Sequence, residues 1–195
     1  PVHMLGNTAS MDEIMAIARK HGIPVLEDSC EALGASYKGK AAGTIGHSGI
    51  YSLDFGKTIT TGEGGMIVTN DDAIFKYCKE YHDHGHESNP AFPRGRDTRT
   101  MAGMNYRMNE MQGAVGMAQL EKLEIIVSKN RENKQFIKSG MDQSKIKFRR
   151  LTDPTGDLAD TIIFNFENET LANRFVDLYK QAGYGTKNIP DAIDW

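Results

Sequence analysis

Lys57 keeps unusual company for a charged residue. The stretch 54–64, Asp-Phe-Gly-Lys-Thr-Ile-Thr-Thr-Gly-Glu-Gly, joins two apolar runs at 50–53 and 65–69 and flanks Lys57 with apolar or small neighbours. A lysine on a helix surface more often sits among polar residues. In a partly dry pocket a lysine amine can lose its proton and form a Schiff base. Asp28 has a complementary position, because it closes the short apolar run 23–26 through Glu27. Carboxyl ends of strands in α/β sheets are where ligands collect, so an acid there can face a ligand cation. Taken singly, each has a plainer reading: a solvated loop lysine, and a cap or turn aspartate. As a pair they match the needs of a pyridoxal phosphate site, in which a carboxylate keeps the pyridine nitrogen protonated and a lysine holds the aldehyde as an imine.

Other candidates carry less. His82, His84 and His86 have the spacing of a metal tract, but they straddle a predicted helix end, where alternate residues do not share a face; we expect no metal. The glycines around Lys57 lack the phosphate-cradling spacing and the Lys-Ser/Thr pair of a P-loop. Met101, Met104, Met108 and Met111 read as packing residues. Cys30 has no adjacent histidine base and reads as a small core residue. Arg94, Arg96 and Arg99 form either a solvated basic loop or a contact for an anionic substrate.

The elements that must position these groups follow from periodicity and punctuation. Ser10 and Glu13 have capping-box spacing before a helix that Gly22 ends. A strand follows at 23–26, limited at its start by Pro24. A Gly-rich connection leads to strands at 50–53 and 65–69, and Asn70 is the expected cap of a helix over 71–84. Residues 85–104 form a Pro-, Gly- and Arg-containing loop, and loops of that length are usually functional or mobile. Asn109 caps a long helix running towards Lys138, with an apolar face of Met111, Val115, Ala118, Leu120, Leu123, Ile126 and Val127. Strands at 146–151 and 161–166, with a turn at 153–156 between them, precede a helix over 171–182. The order implies an α/β domain over 1–128, then a linking helix and part of a small α+β domain over 129–195.

Composition removes several function classes. The 195 residues are 39% hydrophobic and 25% charged, as in ordinary soluble proteins. With 23 Lys+Arg against 26 Asp+Glu, the net charge of −3 leaves no cationic excess for nucleic acid. No apolar run is long enough to span a membrane. Two cysteines, Cys30 and Cys78, fit a reducing cytosol rather than a disulfide scaffold.

Longer motifs carry a family resemblance. The runs 27–35, 37–40, 52–65, 105–112 and 116–123 resemble the DegT/DnrJ/EryC1/StrS sugar aminotransferases, strongly to about Glu124 and loosely beyond. The resemblance implies an aspartate-aminotransferase-like fold (PLP fold type I), with a mixed, mostly parallel sheet covered by helices on both faces. It implies pyridoxal 5′-phosphate as cofactor, an amino-acid donor such as L-glutamate, and a keto-sugar acceptor, typically nucleotide-linked. By position, Lys57 matches the Schiff-base lysine, which also shuttles a proton, and Asp28 the partner of the pyridinium nitrogen. Ser52 matches a phosphate-binding serine, and Glu31 stands where many relatives have a glutamine on the ring hydroxyl. Asn105 and Arg107 match a segment that reaches the neighbouring subunit's phosphate in homodimers; capping and surface pairing is their plainer reading. The resemblance also implies a cytoplasmic enzyme of polysaccharide or secondary-metabolite sugar synthesis. Alternatives are a dehydratase relative, a branch in which the lysine is replaced, and a truncated fragment without activity. Relatives carry a segment before the point matching Pro1 and continue past Trp195, so the chain reads as the middle of a larger enzyme.

Overall fold

A computed structural model describes residues 1–93, 95–142, 144 and 146–186. Arg94, one of the loop arginines, lies outside the described residues. Two compact units divide the chain: Pro1–Lys134 with Leu151–Thr161, and Gln135–Arg150 with Ile162–Trp195.

The first unit opens with a tight turn at Met4–Gly6, then helix α1 (Met11–His21), strand β1 (Leu26–Asp28) and a two-strand hairpin of β2 (Ser36–Tyr37) and β3 (Lys40–Ala41). Strands β4 (Ser48–Ser52) and β5 (Gly65–Thr69) and helices α2 (Asp72–Tyr81) and α3 (Glu110–Leu120) follow. The principal sheet has the order β1-β4-β5. Strand β1 runs parallel to β4, with Asp28 opposite Ile50, and β4 runs antiparallel to β5, with Ser52 opposite Gly65. Val2 bridges to Asp28 on the other edge of β1.

Two small apolar clusters brace this sheet. Met11, Ala18, Val25 and Tyr37 fasten α1 to the base of β1 and to the hairpin. Ala32, Ala35, Ala42, Val127 and Leu158 pack around the connection that leaves β1. Much apolar surface stays open: of the apolar face expected after Asn109, Met111 (81%), Val115 (48%) and Leu120 (53%) are exposed, while Val127 at its far end is buried and Leu123 packs beside it.

Several boundaries differ from the sequence expectations, for local reasons. Helix α1 starts after Ser10, but the Ser10 side chain makes no capping hydrogen bond, so the capping box does not form. Strand β1 begins at Leu26 rather than Ile23. Ile23 N–H closes the helix end on Ala18 O (2.9 Å), Pro24 has no N–H, and Val25 N–H bonds His47 Nδ1 (2.9 Å). Helix α2 is capped one residue later than expected, by Asp71, whose carboxylate accepts from Ala73 and Ile74 N–H. Asn109 and Gln112 form a full capping box, yet the long helix is two: α3, and α4 (Leu123–Ser139). At the break Lys122 N–H reaches back only three residues, to Gln119 O (3.0 Å), which tightens the turn.

The second unit holds the end of α4, the antiparallel pair β6 (Lys147–Phe148) and β7 (Phe164–Asn165), and helix α5 (Glu169–Gln181), capped by Asn168. Phe164 contacts Phe148, Phe166 and Phe175 edge-on, and Phe175 stacks on Tyr179. The small strands are shorter than the runs 146–151 and 161–166, and the aromatic contacts hold the unit together.

Candidate active site

Parallel pairing sets the geometry of the site. Because β1 and β4 run the same way and Asp28 lies opposite Ile50, Asp28 and Ser52 both leave the sheet at its carboxyl edge. The chain then turns back towards β5 through the lysine loop. Asp54 starts that loop: its Oδ2 accepts Gly56 N–H (3.0 Å) and its carbonyl accepts Lys57 N–H (3.1 Å). Buried Leu53 pins both ends, donating N–H to Gly64 O (2.8 Å) and accepting Thr61 N–H and Thr60 Oγ1–H on its carbonyl (both 3.0 Å). Ile59 is fully buried, so the loop around Lys57 is anchored on both sides of the amine.

The amine meets a carboxylate. Lys57 Nζ lies 3.7 Å from Glu31 Oε1, and both side chains are about a quarter exposed (25% and 26%). Glu31 Oε2 accepts Leu5 N–H (3.2 Å), and Glu31 O accepts Gly6 N–H (2.9 Å). Two successive N–H groups of the Met4–Gly6 turn therefore grip Glu31 at its side chain and backbone. That grip requires Leu5 at φ 51°, ψ 51°, a left-handed conformation that costs a bulky side chain about 1–2 kcal/mol. Gly6 is left-handed too (φ 70°), and a Cβ there would sit 2.5 Å from Leu158 Cβ.

Cys30 reports the field of the cluster. Its N–H bonds Asp28 Oδ1 (3.1 Å). Burial, then hydrogen bonding to Asp28 and the charges of Asp28 and Glu31, push its thiol up to about 11, with Lys57 pulling the other way. Asp28, Glu31 and Lys57 thus act on one sulfur. Such a thiol is protonated at neutral pH and inert as a nucleophile.

Behind Asp28 lies a carboxylate committed to structure. Glu27 and His3 are both fully buried, with His3 Nε2 2.8 Å from Glu27 Oε2. Ala9 N–H donates to His3 Nδ1 (3.0 Å), so the ring carries its proton on Nε2 and donates it to Glu27. Glu27 also accepts N–H from Gly43 (2.9 Å), Ile45 (2.6 Å) and Gly46. Burial pushes Glu27 up, but the bonds from His3 and these amides outweigh it and hold the carboxyl below its ordinary range. The sequence shows two adjacent acids but not this division of labour. The available signal was an acid inside a short strand; its partner lies 24 residues upstream.

Asn105 and Arg107 stand apart from the amine. Asn105 bridges to Asp83, its Oδ1 accepts Arg107 N–H (3.4 Å), and the Arg107 guanidinium bonds Asp83. The same segment meets the far end of the lysine loop, where Gln112 Nε2–H bonds Glu63 O (2.8 Å). No hydrogen bond or ion pair among the described residues ties Asn105 or Arg107 to Asp28, Glu31, Ser52 or Lys57. The histidines divide similarly: His82 Nδ1 bonds Lys79 O (2.6 Å), and His86 Nδ1 bonds buried Asp97 (2.8 Å). Among the described residues no three such groups converge on a metal position.

The donor set at the sheet edge fits pyridoxal 5′-phosphate: an amine for its aldehyde, a carboxylate for its ring N–H and a hydroxyl for its phosphate. Comparison with known proteins follows the same line. The model of the DegT/DnrJ/EryC1/StrS aminotransferase family matches residues 1–188. The chain belongs to this family.

GDP-perosamine synthase of Caulobacter vibrioides is 42% identical over 124 residues, 64% of this chain and 32% of that protein. The aminotransferase from Psychrobacter cryohalolentis superposes with a TM-score of 0.83 at 29% identity, over 94% of this chain and 52% of that one. E coli GDP-4-keto-6-deoxy-D-mannose-3-dehydratase, solved with bound hydrated PLP, has a TM-score of 0.81 at 30% identity, over 93% and 50%. The chain therefore spans a third to a half of these relatives. Its architecture is that of PLP fold type I, mixed α/β with a mixed sheet. Pyridoxal 5′-phosphate is the cofactor of the family.

Proposed function

We propose that this chain forms the lysine-bearing part of a PLP-dependent aminotransferase. The enzyme transfers an amino group from an amino-acid donor, L-glutamate, to a nucleotide-linked keto-sugar, for polysaccharide or secondary-metabolite sugar synthesis. One observation carries the reading: in a chain of this family, the Lys57 amine stands 3.7 Å from Glu31 at the carboxyl edge of a parallel strand pair. The name of the Caulobacter relative supports a nucleotide-linked sugar.

When bound, PLP supplies an aldehyde for amines and a protonated ring that withdraws electron density. Lys57 would hold the aldehyde through Nζ and, as a free amine, would carry a proton at that atom. Holding that base on a doubly anchored loop makes the proton transfer effectively intramolecular. Asp28 would hold the ring N–H, Ser52 would donate its hydroxyl to the phosphate, and Glu31 would lie beside the ring hydroxyl. Asn105 and Arg107 serve the phosphate of a partner subunit in a homodimer, with Arg107 held in the meantime by Asp83. The enzyme works in the cytosol; no helix among the described residues is long and apolar enough to cross a membrane.

A dehydratase reading has one observation behind it, the likeness to the E coli dehydratase. That branch replaces the lysine, and Lys57 favours amine transfer. Full-length protein carrying Lys57→Ala tests the assignment. The visible cofactor band, borohydride trapping at residue 57 and transamination should all disappear, and retention of the band and activity would overturn it.

A further inference from the structure

We propose that Glu31 is a positioning residue for the Lys57 amine, and that the strained Leu5–Gly6 turn holds Glu31 to that role. The inference rests on Lys57 being the cofactor lysine. A lysine amine ends a flexible four-carbon stem, and nothing in the anchoring of the loop backbone fixes Nζ. Among the described residues its one ion-pair partner is Glu31 Oε1, at 3.7 Å. The carboxylate is fixed from the other side, with Oε2 on Leu5 N–H (3.2 Å) and the Glu31 carbonyl on Gly6 N–H (2.9 Å). Both oxygens are thus engaged, one by backbone and one by the amine.

The turn is itself overdetermined. Asn7 N–H bonds Met4 O (3.2 Å), Leu158 N–H bonds Gly6 O (3.1 Å), and Thr161 Oγ1–H bonds Leu5 O (3.3 Å). A leucine at φ 51° persists only where its surroundings impose it, and such strain collects beside functional groups. Here the strained residue is the one whose N–H reaches the Glu31 carboxylate. The result is a chain of fixed contacts from the 158–161 segment, through the turn, to the reactive amine. A glutamate spans both partners; an aspartate, one methylene shorter, reaches only one of them.

The test separates reach from charge. PLP is added to cofactor-free full-length protein, and the rate at which the visible lysine–cofactor band forms is followed for wild type, Glu31→Gln, Glu31→Asp and Glu31→Ala. Melting temperatures are recorded alongside. Glutamine keeps the reach but has one acceptor oxygen where glutamate offers two, so its rate should fall about threefold, while aspartate and alanine should slow the band about tenfold or more. Kinetics of the loaded enzymes should show the same ranking in kcat, with KM for the amino donor little changed. An aspartate rate equal to or above the glutamine rate would show that charge matters and position does not, and would overturn the inference. So would a wild-type rate in Glu31→Ala. Absence of the band in wild type itself would instead sink the assignment of Lys57, which keeps the two failures distinct.

Discussion

Glu27 and Asp28 are neighbours in one short strand with opposite employment. Glu27 is fully buried and takes hydrogen bonds from the His3 ring and three backbone amides, so every direction around it is occupied by the fold. Asp28, one residue later, reaches the half-open carboxyl edge, where its described partner is the Cys30 N–H. Alternation along a strand sends successive side chains to opposite faces, so adjacent identical chemistries meet different surroundings. The comparison teaches that the acid committed to stability is the one with the most donors. The acid with few is Asp28, the one proposed to hold the cofactor's ring N–H.

Exchanging the two roles by mutation gives the largest expected contrast. Glu27→Ala should destabilise the protein by about 3–5 kcal/mol, because it leaves a buried imidazole N–H and three amides without an acceptor. Asp28→Asn should cost about 1 kcal/mol or less in stability yet cut transamination about 10²-fold or more. Chemical denaturation and steady-state kinetics on both variants check this, and a large stability loss in Asp28→Asn would erase the distinction. Acid titration sharpens it further. The Glu27 carboxyl is held below its ordinary 4.5, so its stabilising share is complete above that pH and is lost as pH falls through the lowered folded value. Melting temperature should accordingly fall less steeply below pH 4.5 in Glu27→Gln than in wild type.

The smallest effect concerns Cys30. With its thiol near 11, alkylation at pH 8 should be slow; Asp28→Asn removes a charge and a bond that raise it and should speed labelling about threefold. Lys57→Ala removes the opposing cation and should slow labelling. Mass spectrometry of iodoacetamide-treated, unliganded protein reads both, and equal rates in all three proteins would mean that the sulfur does not sense the cluster.

Much of the fold was legible because its signals are local. Strand β5 lies where the apolar run 65–69 put it, Gly22 ends α1, and Asn109 with Gln112 caps α3. The juxtaposition of Lys57 with Glu31 was legible only through family motifs, since spacing alone does not say that residues 26 positions apart will touch. What stayed hidden depends on contacts distant in sequence or on backbone geometry. The sequence of Ser10 and Glu13 promises a cap that the backbone at Ser10 does not deliver. Strand β1 starts late because His47, 22 residues on, takes the Val25 amide. Leu5 has no composition signal at all, since its left-handed turn is imposed by Leu158 and Thr161 from the far end of the chain.

Strand β5 ends the sheet order with its outer edge unpaired among the described residues, and its Met66 (37%) and Ile67 (56%) side chains are exposed. A row of free amides and carbonyls beside bare aliphatic groups is a template on which another copy can add a strand. Anyone purifying these 195 residues by themselves should therefore meet concentration-dependent self-association first at this border, before any question of catalysis arises. A lysine or proline placed on the solvent side of β5 would be the natural remedy for solubility work.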